Sequence, residues 1–131
     1  MTKQTSWTAG RRALTALLTA GAVLAPMQAR AGQYWCDGTV SQTWLDSDGL
    51  LYVYSSWRNQ NTRLCSLNQT LTGNAVTISP ATCAGWLSLI KQSMANAKPV
   101  TIYYVDSPVA CDQLATYEQA PLPRYVMLKT S

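Results

Sequence analysis

Few side chains in this chain could do covalent chemistry, and the missing types narrow the field first. There is no histidine, which removes Ser-His and Cys-His nucleophilic pairs, imidazole metal ligands and a histidine pH switch. Asp46 and Asp48 stand close together, as acid-base or calcium chemistry would need. Their setting is Asp-Ser-Asp-Gly, however, a turn in which Asp accepts bonds from the backbone just ahead, and no Glu follows to complete a calcium loop. Ser88 and Lys91 lie one helical turn apart, but on the polar side of a surface helix with no oxyanion site beside them. The expectation is a protein that is not an enzyme, with no metal and no cofactor.

Binding chemistry is better supplied. From Gly32 onward there are four Trp (Trp35, Trp44, Trp57, Trp86) and seven Tyr, with no Phe anywhere. Every ring therefore carries a polar handle, the chemistry of stacking on sugars or bases while hydrogen bonding at the edge. In the run Leu50 to Trp57, residues Leu51, Val53, Ser55 and Trp57 share one face of a strand, and Leu50, Tyr52, Tyr54 and Ser56 share the other. In a barrel one of these faces must point outward. An exposed Tyr52-Tyr54 pair with Ser56, or Trp57 beside Arg58 and Asn59 at the strand end, is the expected ligand-binding surface; a subunit interface would use the same residues equally well.

Charge location decides against a nucleic-acid partner. The net charge of the whole chain is +4, but Lys3, Arg11, Arg12 and Arg30 all fall in residues 1–31, which hold no acid. The 100 residues from Gly32 to Ser131 carry six basic and six acidic side chains, so no bulk positive field remains to attract phosphates. Residues 1–31 also have the three parts of a secretory signal: a basic start, the apolar run Ala13 to Leu24, and Ala29-Arg30-Ala31 with cleavage expected before Gly32. That run is shorter than the ~20 residues of a membrane span, so no transmembrane anchor is expected. Whether Arg11-Arg12 marks twin-arginine rather than general export is left open. The expected location is secreted or periplasmic.

The four cysteines, Cys36, Cys65, Cys83 and Cys111, all lie after this segment. An even number in a short exported chain reads as two disulfides, and the spacing fits neither a CxxC redox motif nor a zinc site.

The elements that must carry these residues can be read in order. Tyr34 to Leu45 is a strand with a bend at Gly38, Asp46 to Gly49 a hairpin turn, Leu50 to Trp57 a second strand, and Thr62 to Asn68 a third. Ser79 caps a helix that Pro80 opens and Pro99 ends; Cys83, Trp86, Leu87, Ile90, Met94 and Ala97 form its apolar stripe. Val100 to Val105 is a fourth strand, Leu114 to Pro123 is irregular, and Arg124 to Thr130 is a fifth strand. The order β-β-β-α-β-β, mainly β with one central helix, is that of an OB-fold-like five-stranded barrel; an α+β sheet covered by one helix is the alternative. Four cysteines allow three pairings. With Cys65 on strand three and Cys83 at the start of the helix, the order suggests Cys65 with Cys83 and Cys36 with Cys111, within one domain of residues 32–131.

Three stretches carry a family resemblance: Thr62-Arg63-Leu64-Cys65-Ser66-Leu67, then Ile78-Ser79-Pro80-Ala81-Thr82-Cys83-Ala84-Gly85-Trp86-Leu87, then Lys98-Pro99-Val100-Thr101-Ile102-Tyr103. Together they are similar to small exported bacterial OB-folds, including the B subunits of AB5 toxins of the pertussis and subtilase-cytotoxin type. The resemblance implies binding of a host-cell glycan by a homopentamer, through shallow sites built from Ser, Tyr and polar groups, alongside an exported catalytic A chain. Tyr54 and Ser56 resemble the Y-x-S type of sialic-acid site. The alternative is a periplasmic protein-binding or inhibitor module that recognises an envelope protein through the same aromatic surface.

Overall fold

The computed structural model describes residues 32–130; the expected export segment lies outside the described residues. The chain runs β1 (Gly32–Gly38), β2 (Val40–Leu45), β3 (Leu50–Ser55), β4 (Asn61–Ser66), β5 (Leu71–Gly73), β6 (Val76–Ile78), α1 (Pro80–Ala95), β7 (Val100–Ser107), a short 3-10 turn at Cys111–Gln113, and β8 (Tyr125–Leu128). All pairings between strands are antiparallel, and they form three sheets, β1-β7-β8, β2-β3-β4 and β5-β6, none of them closed into a barrel.

The first expected strand is two strands in two sheets. The break falls at Gly38-Thr39, where the chain passes from pairing with β7 to pairing with β3. A Cβ on Gly38 would lie 2.2 Å from Ser56 Oγ and 2.9 Å from the Trp57 ring, so only glycine lets the chain pass so close to the turn after β3. Thr39 N then donates to Ser56 Oγ at 3.0 Å, and Ser56 N donates to Thr39 O at 2.9 Å.

The turn before β3 is built as its residues dictate. Asp46 Oδ1 accepts from Asp48 N at 3.0 Å and from Leu50 N at 2.8 Å, which accounts for that carboxylate by turn chemistry. The β5-β6 hairpin was not expected. Its Asn74-Ala75 turn has positive φ at both residues, 50° and 56°, the geometry two-residue hairpins favour, reached with Ala where Gly would announce it.

The core lies between the sheets and the helix. Leu51, Val53, Leu64, Ile78, Ile90, Val100, Ile102 and Tyr104 are fully enclosed. Ser79 caps α1 by accepting from Thr82 N, and Pro80 opens it, as expected. The apolar stripe is shorter than expected: the helix ends at Ala95, Met94 and Ala97 are exposed, and Ser93 is buried in their place. The cause is the exit from the helix, where Ala97 takes φ of 51° and Ser93 Oγ donates to Lys98 O.

Both expected disulfides are formed, Cys36–Cys111 and Cys65–Cys83. The first closes 75 residues and ties β1 to the 3-10 turn, and the second closes 18 and pins α1 to β4. Loop-closure entropy gives about 4.5 and about 3 kcal/mol respectively. Disulfides of this kind form and persist in oxidising environments. No helix among the described residues is long and apolar enough to cross a membrane.

Candidate functional site

Of the six residues expected to bind ligand, Ser56 and Asn59 are exposed, Tyr54, Trp57 and Arg58 are half-buried, and Tyr52 is buried. Tyr52 is only 4% exposed. Its ring is stacked on Trp44, with centroids 5.5 Å apart and planes 15° apart, and Tyr117 packs edge-on against it at 6.0 Å. Burial first, then the neighbouring Asp46 and Glu118 charges, push its phenol pKa up. Tyr54 is half-buried, and Ser56 spends its hydroxyl on Thr39. Trp57 packs against the core, with an indole N–H that has no partner among the described residues. Arg58 Nε donates to Leu114 O at 2.6 Å, and Asn59 makes the turn after β3 at φ 53°, donating to Ser55 O. Trp57 and Arg58 are thus engaged in holding the fold.

A different aromatic group is assembled on the outward face of the β1-β7-β8 sheet. Strand alternation turns Tyr34 and Cys36 toward the core and leaves Gln33, Trp35 and Asp37 outside. The register then sets Trp35 opposite Tyr103 and Tyr103 opposite Tyr125, with Asp37, Thr101 and Met127 forming the next row. Trp35 stacks on Tyr103 with centroids 4.7 Å apart and planes 23° apart, and Tyr103 meets Tyr125 at 5.0 Å. Trp35 Nε1 donates to Tyr125 OH at 2.9 Å, so the indole reaches over Tyr103 and fastens on its far side. Tyr103 beneath is 9% exposed, whereas Trp35 is 54% exposed. One face of the indole is therefore covered and the other lies open to solvent.

Polar groups border this open ring. Asp37 Oδ1 accepts from Thr101 Oγ1 and meets Lys129 Nζ at 3.0 Å. The Thr101 hydroxyl first, then Lys129, hold the Asp37 carboxyl below its ordinary pKa. The pair is locally neutral and half-exposed, offering one anionic acceptor and one cationic donor next to an aromatic face. Such a surface can stack an apolar ring face and hydrogen bond the groups at its rim.

The sequence contained the signal for Trp35 and Asp37, the alternation Gln33-Trp35-Asp37 along a strand. It could not show that Tyr103, rather than Tyr104, would lie under the indole, because only the β1-β7 register decides which of two adjacent tyrosines faces out. Tyr104 is fully buried, and that burial pushes its phenol pKa far up. No family model, curated protein or solved structure matches the chain.

Proposed function

We propose that this protein is an exported glycan-binding module without catalysis of its own, and that Trp35 is its stacking platform. The observation that carries the reading is the fastened indole, with one face on Tyr103, its N–H on Tyr125 and its other face in solvent. A side chain already held in place loses little rotamer freedom when a sugar settles on it. The apolar C–H face of a pyranose would lie on the ring, and its hydroxyls would donate to Asp37 and accept from Lys129. Because those two charges cancel, a neutral hexose suits the surface better than a strongly charged one.

The sheet order supports an OB-type reading of the fold. Joined through Gly38-Thr39, the two main sheets trace β4-β3-β2 and then β1-β7-β8 along one path. The ladder that would close a barrel, β4 against β8, is replaced by a single parallel bridge between Thr62 and Tyr117. The resemblance to AB5 B subunits adds a ring of five and a catalytic partner chain to the proposal. A single shallow platform binds one sugar at about millimolar strength, near 4 kcal/mol, and linked copies raise avidity without any new contact.

A glycan array probed with purified protein and with Trp35→Ala tests the reading, with Trp57→Ala and Ser56→Ala as comparators. Binding that is lost in Trp35→Ala and kept in the other two is expected. Silence of the unaltered protein at high loading, or binding that survives Trp35→Ala, would remove it.

A further inference from the structure

A cleft of about 460 Å³, lined by none of the platform residues, lies between the β5-β6 hairpin, Arg63 of β4 and the segment 108–122. It falls within the usual ~300–1,000 Å³ range of ligand sites. No aromatic ring lines it, so a sugar has nothing to stack on there. Its walls are mixed, with Val109, Pro121 and Leu122 on the apolar part and Thr72, Gln113 and Gln119 on the polar part, and Arg63 supplies the one cationic side chain of the lining.

Two features of the cleft are unspent hydrogen-bonding capacity. Arg63 carries five N–H donors, yet among the described residues its guanidinium makes a single long bond, Nη2 to Ala120 O at 3.4 Å, and its buried Nε has no partner. It forms no ion pair among the described residues, where Lys129 with Asp37 is the pair present. The second feature is the outer edge of β5. Gly73 and Val76 flank a two-residue turn and Thr72 lies opposite Thr77. By antiparallel alternation Thr72 and Thr77 do not exchange backbone bonds, so the N–H and C=O of Thr72 point to the open edge. Thr72 and Gly73 both line the cleft, and neither backbone group of Thr72 is paired elsewhere among the described residues.

A planar guanidinium with free donors fits a carboxylate, and an open strand edge fits an extended backbone. We propose that this cleft captures the free C-terminus of an extended peptide, with its α-carboxylate on Arg63 and its backbone paired to Thr72. Glu118, exposed at the rim, brings the lining close to neutral, which suits a monoanion such as a carboxylate better than a phosphate. The apolar part of the wall, Val109, Pro121 and Leu122, takes the last side chains of the peptide. This site is independent of the glycan reading and would stand if that reading failed.

The test is a library of random heptapeptides displayed with free C-termini on phage and panned on the purified protein. Enrichment of sequences ending in an apolar residue is expected. A synthetic peptide from the enriched pool should shift the Thr72 amide and the Arg63 Nε–H resonances. Amidating its C-terminus should weaken binding at least tenfold on the unaltered protein, and Arg63→Gln should do the same, while Trp35→Ala leaves peptide binding unchanged. The proposal is overturned if no sequence is enriched over a control protein, if the amidated peptide binds as well as the free acid, or if acetate at the same concentration reproduces the full Arg63 shift. Glucuronic acid serves as a further probe: displacement of the peptide by it at equal concentration would point to an acidic sugar and overturn the peptide assignment.

Discussion

Two groups of rings, built from the same residue types, do different work in this molecule. In each, a Trp from a strand at the side of a sheet stacks on a Tyr of the central strand: Trp35 on Tyr103 in β1-β7-β8, and Trp44 on Tyr52 in β2-β3-β4. In each, a further Tyr from the C-terminal third approaches the central ring, Tyr125 in the first and Tyr117 in the second. The third ring makes the difference. Tyr125 sits on β8 in register and presents its hydroxyl to the indole N–H, so Trp35 is held flat and open. Tyr117 comes from an irregular segment at φ 53° and packs edge-on, its own hydroxyl accepting from Asn61. It shields Tyr52, leaving a buried ring and a half-buried Trp44. The first group is a platform and the second a plug.

The largest expected effect comes from the bridge next to the platform. Cys36 follows Trp35 in β1, so Cys36→Ala with Cys111→Ala should cost about 4.5 kcal/mol and lower the urea midpoint more than Cys65→Ala with Cys83→Ala, at about 3 kcal/mol. Equal losses would mean that native strain, not loop length, governs the two bridges.

Ring deletions separate platform from plug. Tyr52→Ala removes a buried aromatic and should destabilise by about 3 to 4 kcal/mol, read by denaturant unfolding. Trp35→Ala should cost about 1 kcal/mol or less in stability, in line with exposed positions, while abolishing sugar binding. If Trp44→Ala also abolished sugar binding, the division between the two groups would collapse.

Tyr125→Phe is a finer cut. It removes the acceptor that fastens the indole and leaves the ring in place. A fewfold loss of sugar affinity is expected, with a stability change of about 1 kcal/mol, and a broadened Trp35 Nε1–H signal should accompany it.

The smallest effect concerns pH. Thr101 and Lys129 hold the Asp37 carboxyl below its ordinary value of 3.8. Its contribution is therefore complete above 3.8 and is lost as pH falls below that value through the lower folded-state pKa. Asp37→Asn should flatten a shallow acid slope in stability below pH 4.

Much of the local structure was legible. Asp46 to Gly49 is a turn because Asp and Gly favour one at that spacing, and Ser79-Pro80 starts a helix for reasons internal to four residues. The cysteine pairing followed from element order alone. The split of the first strand was signalled by Gly38 but not determined by it, since a bend within one strand and a passage between two sheets use the same residue. The β5-β6 hairpin was hidden because Asn74-Ala75 is a weak turn sequence and three-residue strands carry little periodicity. Trp57 packs against the core on the side that also holds Leu51 and Val53, as strand alternation through Ser55 sets it.

The sequence by itself determined the chemistry on offer: rings with polar edges, no histidine, two bridges, and a neutral body once the first 31 residues are set aside. It also determined where turns and the helix begin, because those depend on contacts a few residues apart. Only the tertiary structure decided which rings are open. Trp35 and Tyr125 are 90 residues apart, and their meeting depends on the register of β1 and β8 on β7. A slip of one residue would turn Tyr104 to the outer face and Tyr103 to the core. Exposure of a ring is a property of what lies across from it, and that partner is set by long-range pairing that no local pattern encodes.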